Sequence, residues 1–251
     1  MMHSTAIHTE KLTRDFGTLR ALDRLTLEVA PGIVFGFLGP NGSGKTTTIR
    51  LLLGLIKPTS GTARVLGFDV AREPEAVRLR TGALLEHTGL YERLSAEQNL
   101  EYYGRIALMS DGGRKARIRE LLERADLWDR RGEAVGRWSR GMKQKLAVAR
   151  ALLHHPSLIF LDEPTAGLDP VAASAFRQDL VRLAQHDGVT VFLTTHNLAE
   201  AEKLCGQVAV VHQGRLLAVG RPDDVRRQVE PAPTATFEDA FLHLVQQSAS
   251  A

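Results

Sequence analysis

The sequence predicts an α/β fold built on a parallel sheet, and three observations point to it. The stretch Phe35 to Arg50, FGFLGPNGSGKTTTIR, follows an apolar run (Ile33 to Leu38) and leads into a helix-compatible run (Thr47 to Leu55). The run Leu158 to Leu161 is apolar at consecutive positions, as expected of a parallel strand buried on both faces. Strand–helix–strand alternation then continues from Leu158 to Val219, the pattern of crossovers over one sheet.

Taken in chain order, residues 4 to 36 come first. They alternate apolar and polar, as in Leu25-Thr26-Leu27-Glu28-Val29, and end at Pro31-Gly32, which predicts antiparallel β-structure. The glycine-rich turn that follows matches G-x-x-x-x-G-K-S/T, with Gly39, Gly44, Lys45 and Thr46 in the fixed places. A strand, such a turn and a helix N-terminus make an anion site, because backbone N–H groups converge there and the helix dipole adds positive potential. Glycines at 39, 42 and 44 permit torsions and close approaches that a Cβ would block. The expected nucleotide contacts are Gly39, Asn41, Gly42, Ser43, Gly44, Lys45, Thr46 and Thr47. Lys45 is expected to reach the β- and γ-phosphates of ATP, and the Thr46 hydroxyl to ligate Mg²⁺. Beyond this core, which runs to about Gly82, the pattern turns helical: Asn99 to Met109, Gly113 to Ala125 and Gln144 to Leu153. Ser110-Asp111-Gly112-Gly113 reads as a turn between the first two.

The segment Trp138 to Leu168, WSRGMKQKLAVARALLHHPSLIFLDEPTAGL, makes the likeness specific. With the phosphate loop, it resembles the nucleotide-binding subunit of ABC (ATP-binding cassette) transporters, from Phe16 to about Gly220. That resemblance implies a P-loop NTPase core with a parallel sheet, an antiparallel β subdomain and an inserted α-helical subdomain at about 90–155. Leu158 to Leu161 with Asp162 and Glu163 resembles the Walker B strand. A carboxylate at the tip of a buried strand is costly unless paired with a cation or hydrogen-bonded, so Asp162 is expected to hold Mg²⁺ through its waters. Glu163 is expected to polarise the attacking water as general base.

The remaining assignments follow from the resemblance. Trp138-Ser139-Arg140-Gly141-Met142 stands where the family's commonest signature is LSGGQ, with Arg140 replacing the first glycine. Ser139 and Gly141 are expected to meet ATP held by an opposite subunit, which suits a serine at a helix N-terminus. Arg140 either adds charge to that phosphate or projects into solvent. Phe16 is expected to stack on adenine, where the family usually has Tyr. His196 resembles the switch histidine that contacts the γ-phosphate, and Asp169 the loop that signals between two sites. Glu86 occupies the Q-loop position and is a candidate approach to Mg²⁺. Similar exporter-type ATPases carry Glu there with a segment like Gly89 to Leu94, which favours export.

Composition sets limits on the rest. The chain has 251 residues and a formal net charge of +3, a balance that gives no reason to expect nucleic acid as partner. The basic cluster Arg114 to Arg131 is interleaved with apolar residues at helical spacing, the pattern of a solvated amphipathic helix. The one cysteine, Cys205, cannot form an internal disulfide and suits a reducing compartment. Neither a signal-peptide pattern nor an apolar run of roughly 20 residues is present. The expected setting is therefore cytoplasmic, peripheral on the inner face of the cell membrane, with the pore supplied by a separate transmembrane permease subunit. The expected ATPase partner is a second copy or a related ABC ATPase. A soluble ABC ATPase acting on ribosome or DNA is the alternative, disfavoured by one cassette without sustained heptads. The ATPase domain is placed at 4–225. Residues 226–251 are read as a linker at Glu230-Pro231-Ala232-Pro233 and a helix over Thr236 to Val245.

Overall fold

The computed structural model describes residues 5–229 and 236–249. Strands β1 (Ile7–Phe16) and β2 (Leu19–Val29) pair antiparallel, and β4 (Ser60–Val65) and β5 (Phe68–Asp69) extend them to a four-stranded sheet ordered β2-β1-β4-β5. The alternation in β2 works as expected: Leu25, Leu27 and Val29 are buried, while Thr26 and Glu28 face solvent.

The second sheet holds six strands. Its members are β3 (Val34–Leu38), β6 (Thr81–Leu84), β7 (Leu158–Asp162), β8 (Thr190–Thr195), β9 (Gln207–His212) and β10 (Arg215–Gly220). Their order is β10-β9-β3-β8-β7-β6, with only β10 antiparallel to its neighbour. Every residue of β3 and of β8 is buried, which is why β3 reads as a continuous apolar run and β8 carries Val191-Phe192-Leu193 at its centre. Phe192 sits at the centre, its ring 5.4 Å from those of Phe35 and Phe37 and 5.5 Å from that of Phe160. On that face the sheet packs against α1 (Lys45–Leu52) and the antiparallel sheet. The opposite face, carrying Ile159, Leu161, Val191 and Leu193, packs against the other long helices.

Caps move the helix starts from where periodicity alone put them. Helix α1 begins at Lys45 rather than Thr47 and stops at Leu52, before Gly54 turns the chain at a φ of 63°. A short α2 (Pro74–Arg78) precedes β6. Helix α3 (Ala96–Ile106) starts three residues early because Ser95 and Gln98 form a reciprocal capping box, at 3.1 and 2.9 Å. Helix α4 (Asp111–Arg124) follows Ser110, which holds the N-cap position without a side-chain capping bond, so Asp111-Gly112-Gly113 form its first turn, not a separate turn. The basic cluster is not wholly solvated either. Arg114, 4% exposed, points inward and bonds Glu101 (2.7 Å), Asp111 (2.6 Å) and the Met109 carbonyl (2.9 Å), tying α4 to α3. Helix α5 (Arg140–Leu152) starts at the signature itself, capped by Ser139. Then come α6 (Pro170–Gln185) and α7 (Leu198–Leu204).

The C-terminal part adds a helix that the sequence reading did not place, α8 (Pro222–Val229), across the expected boundary at 226. The expected terminal helix is α9 (Phe237–Ala249), seated through Phe237, Ala240 and Phe241. The expected linker at Glu230-Pro231-Ala232-Pro233 lies outside the described residues. Among the described residues, no helix is long and apolar enough to cross a membrane.

Candidate functional site

Parallel register brings the carboxyl ends of β3, β7 and β8 to one edge: Leu38 aligns with Thr195, and Asp162 with Thr194. Ligands of open α/β sheets bind at such carboxyl ends. The glycine-rich loop leaves β3 there and turns into α1. Gly44 adopts a φ of 102°, and a Cβ on it would stand 2.6 Å from the Ala21 carbonyl, so no other residue fits this turn without strain. Ser43 is buried, and its Oγ has no hydrogen-bond partner. Lys45 is only 7% exposed. Its ammonium donates to the carbonyls of Gly39 (2.8 Å) and Pro40 (3.2 Å) and lies 3.6 Å from Glu163 Oε1.

Thr194 of β8 holds the Asp162 carboxylate and the Glu163 amide. Thr46 Oγ1 donates to Asp162 Oδ2 at 2.7 Å, and Thr194 Oγ1 donates to Asp162 Oδ1 at 2.5 Å. The Glu163 amide donates to the Thr194 carbonyl (3.2 Å) and hydroxyl (3.0 Å). Glu163 itself takes a φ of 49°, a left-handed torsion that a side-chain-bearing residue keeps only when its surroundings impose it. Its Oε2 is 2.9 Å from His196 Nδ1. Thr194 escaped the sequence reading, because only the strand alignment shows that it serves Asp162. The available signal was the Thr194-Thr195 pair at the end of an apolar strand, just before His196.

Gly44, Lys45, Thr46, Asp162 and Glu163 line one cleft of about 930 Å³, together with Phe16, Asn41, Gly42, Thr47 and Glu86, whereas Gly39, Ser43 and His196 are not part of its lining. Phe16 is not core: it is 44% exposed, with the Arg14 guanidinium 4.4 Å from the ring centroid. Glu86 stands at the rim, its side chain 71% exposed and 4.0 Å from Arg50. The signature residues lie elsewhere. Ser139 and Gly141 line a separate groove of about 500 Å³ with Leu168 and Asp169. Asp169 caps α6, accepting from the amides of Val171 (3.0 Å) and Ala172 (2.9 Å). Arg140 is exposed, in keeping with the second of the expected courses. Its guanidinium lies over Gly167, where a Cβ would collide with it, and it borders both the groove and the cleft.

The residues present fit a magnesium nucleotide. The orphaned Ser43 hydroxyl and the Lys45 ammonium face polar demand that the chain does not fully meet itself. A hydroxyl and a carboxylate already in contact, Thr46 and Asp162, form a hard-oxygen pair suited to Mg²⁺. Among the described residues no three His, Cys, Asp or Glu side chains converge.

Comparison with known proteins decides the family: the ABC transporter pattern matches residues 22–166, more than half of the chain. The chain belongs to the ABC transporter family. This ABC protein is an ATP-binding subunit and an ATPase. It is 44% identical over 227 residues to the daunorubicin resistance ATP-binding protein DrrA3 of Streptomyces coeruleorubidus, covering 90% of this chain and 72% of that one. It is 40% identical over 256 aligned positions to the Nod factor export ATP-binding protein I of Paraburkholderia xenovorans, covering 98% and 84%. Its fold superposes on a solved ATP-binding subunit of an ABC transporter with a TM-score of 0.85 at 32% identity, covering 96% and 99%.

Proposed function

We propose that this ABC ATPase drives export through a separate membrane-spanning permease, by hydrolysing ATP at a site shared between two ATPase chains. One observation carries the shared site. Ser139 and Gly141 open onto a groove distinct from the cleft of Lys45, Thr46, Asp162 and Glu163, so the signature of one chain is free to meet a nucleotide held by another. The direction of transport rests on relatives named for export and drug resistance. Nothing in these relatives favours action on ribosome or DNA.

In this reading the loop Gly39 to Gly44, with Thr47, wraps the phosphates, Lys45 neutralises their charge and Phe16 stacks on adenine. Thr46 and Asp162 hold Mg²⁺, with Glu86 approaching from the rim; the ion supplies charge stabilisation to the phosphate oxygens. Thr194 keeps Asp162 oriented. Glu163 takes the proton of the attacking water, and His196, against Glu163 Oε2, fixes where that carboxylate points. Ser139 and Gly141 close the site from the partner chain, and Asp169 relays between the two sites. As in other phosphoryl transfers, catalysis is mostly positioning and electrostatics. The ATPase unit spans about 4–225. In this reading its helical part, about 90–155, offers the permease-facing surface, and the protein works on the cytoplasmic face of the membrane.

The test is Glu163→Gln. The variant is expected to bind ATP and associate into dimers while its turnover falls at least about 100-fold, the usual worth of a general base. Hydrolysis at the parent rate would sink the assignment of Glu163.

A further inference from the structure

A second carboxylate stands beside the hydrolytic pair without an assigned role. Glu200 lies in the first turn of α7, one helical turn beyond His196, and its side chain is only 3% exposed. Burying a carboxylate is costly unless its oxygens are satisfied. Yet Oε1 has no hydrogen-bond partner, and Arg177 Nη1 stays 3.8 Å away. Its firm contact is with Thr165, whose Oγ1 donates to Oε2 at 2.7 Å. The Glu200 amide is itself fixed, donating to Asn197 Oδ1 at 3.1 Å.

Thr165 follows Glu163 by two residues. The loop leaving β7 and the segment leaving β8 are thus joined by two rungs. The outer rung is Glu163 to His196, whose side chain is 64% exposed. The inner rung is Thr165 to Glu200. From the opposite side Gln144 of α5 donates its side-chain amide to the Pro164 carbonyl at 2.5 Å. Pro164 and Thr165 are therefore gripped between the signature helix and the switch helix, directly behind a glutamate held at positive φ.

We infer that Glu200 is a positioning residue for the hydrolytic pair. By holding Thr165 it keeps the loop from relaxing out of the left-handed turn at Glu163, and so keeps the Glu163 carboxylate against His196. The inference rests on the role given to Glu163 above. It accounts for a buried acid with an unsatisfied oxygen, a feature that an apolar residue would replace if packing were its only purpose.

The experiment uses the full chain: wild type, Thr165→Val, Thr165→Ser, Glu200→Ala, and the Thr165→Val/Glu200→Ala double variant. Steady-state ATP hydrolysis is measured beside equilibrium ATP affinity by titration calorimetry, with thermal unfolding to confirm folding. Thr165→Val leaves Glu200 and Arg177 in place, so it remains informative if Glu200→Ala fails to fold. Thr165→Val is expected to lower kcat about tenfold or more, since small displacements at a reacting centre are expensive. ATP affinity should stay within about twofold, because the phosphate loop is untouched. Thr165→Ser, which keeps the hydroxyl, should recover to within about threefold of the parent, and the double variant should be no slower than the slower single. Parent-rate hydrolysis by folded Thr165→Val, or affinity falling in step with rate, would overturn the inference. A wild-type chain that binds ATP without hydrolysing it would instead contradict the proposed function, and the role of Glu200 with it.

Discussion

At the scale of single residues, the site is a set of short polar contacts anchored on β8. Thr194 holds both Walker B carboxylate positions, through the Asp162 side chain and the Glu163 amide. Thr194→Val removes the donor to Asp162 Oδ1 and one acceptor of the Glu163 amide while keeping the side chain's shape. Its kcat should fall about tenfold or more, each hydrogen bond to a charged group being worth about 1.5–3 kcal/mol; steady-state kinetics with saturating Mg²⁺ checks this. Lys45→Ala should abolish measurable ATP binding, because Lys45 is the buried cation of a cleft whose other lining cations, Arg20 and Arg140, are exposed. Most of the candidate site was legible in the sequence. Gly39, Gly44, Lys45 and Thr46 must keep fixed spacing to wrap a phosphate, and Asp162 and Glu163 must sit at a strand tip. Thr194 and Glu200 were not legible. Their roles depend on partners 32 and 35 residues away in the chain, a relation created only when β7 and β8 align.

At the scale of elements, the sequence pattern located strands and helices, but caps set their ends. Three helix starts follow serines, of which Ser95 and Ser139 make side-chain capping bonds and Ser110 does not, and each start precedes the first residue that periodicity would choose. The helix α8 was missed because a single apolar residue, the buried Val225, stands among Asp223, Asp224, Arg226 and Arg227, too weak a stripe to read. Within the parallel sheet, Phe192→Ala should cost about 3–5 kcal/mol, a normal range for emptying an aromatic core site; urea unfolding measures it. His154 makes a further prediction at this scale. Burial, aided by His155, Arg117 and Arg150, holds its pKa below the ordinary histidine value, against the Thr81 carbonyl that pulls it up. The unfolded chain therefore takes up a proton first as pH falls below about 6.5. Stability from this ring is complete above that pH and is lost as pH falls towards the native pKa. Urea midpoints at pH 7.5 and 5.5 should differ less in His154→Gln than in wild type. An equal or larger difference in the variant would remove His154 from the account.

At the scale of the whole molecule, the two sheets and the helical insertion leave the phosphate loop and the signature facing different spaces. The cleft of about 930 Å³ holds the loop and the carboxylates, while the groove of about 500 Å³ holds Ser139, Gly141 and Asp169. In the proposed reading, a single chain offers two halves of a site, and two chains placed head to tail would complete two sites. The layered α/β core and the helical insertion were expected from the order of motifs, whereas the separation of cleft and groove is a product of packing that no local pattern encodes. The most direct test of the shared site is the rate of ATP hydrolysis per molecule as protein concentration rises, with Mg²⁺, beside Lys45→Ala. A rate that climbs with concentration to a plateau and vanishes in the variant is the predicted result. A rate per molecule that stays flat across concentrations at which the chain is shown to be monomeric would contradict it.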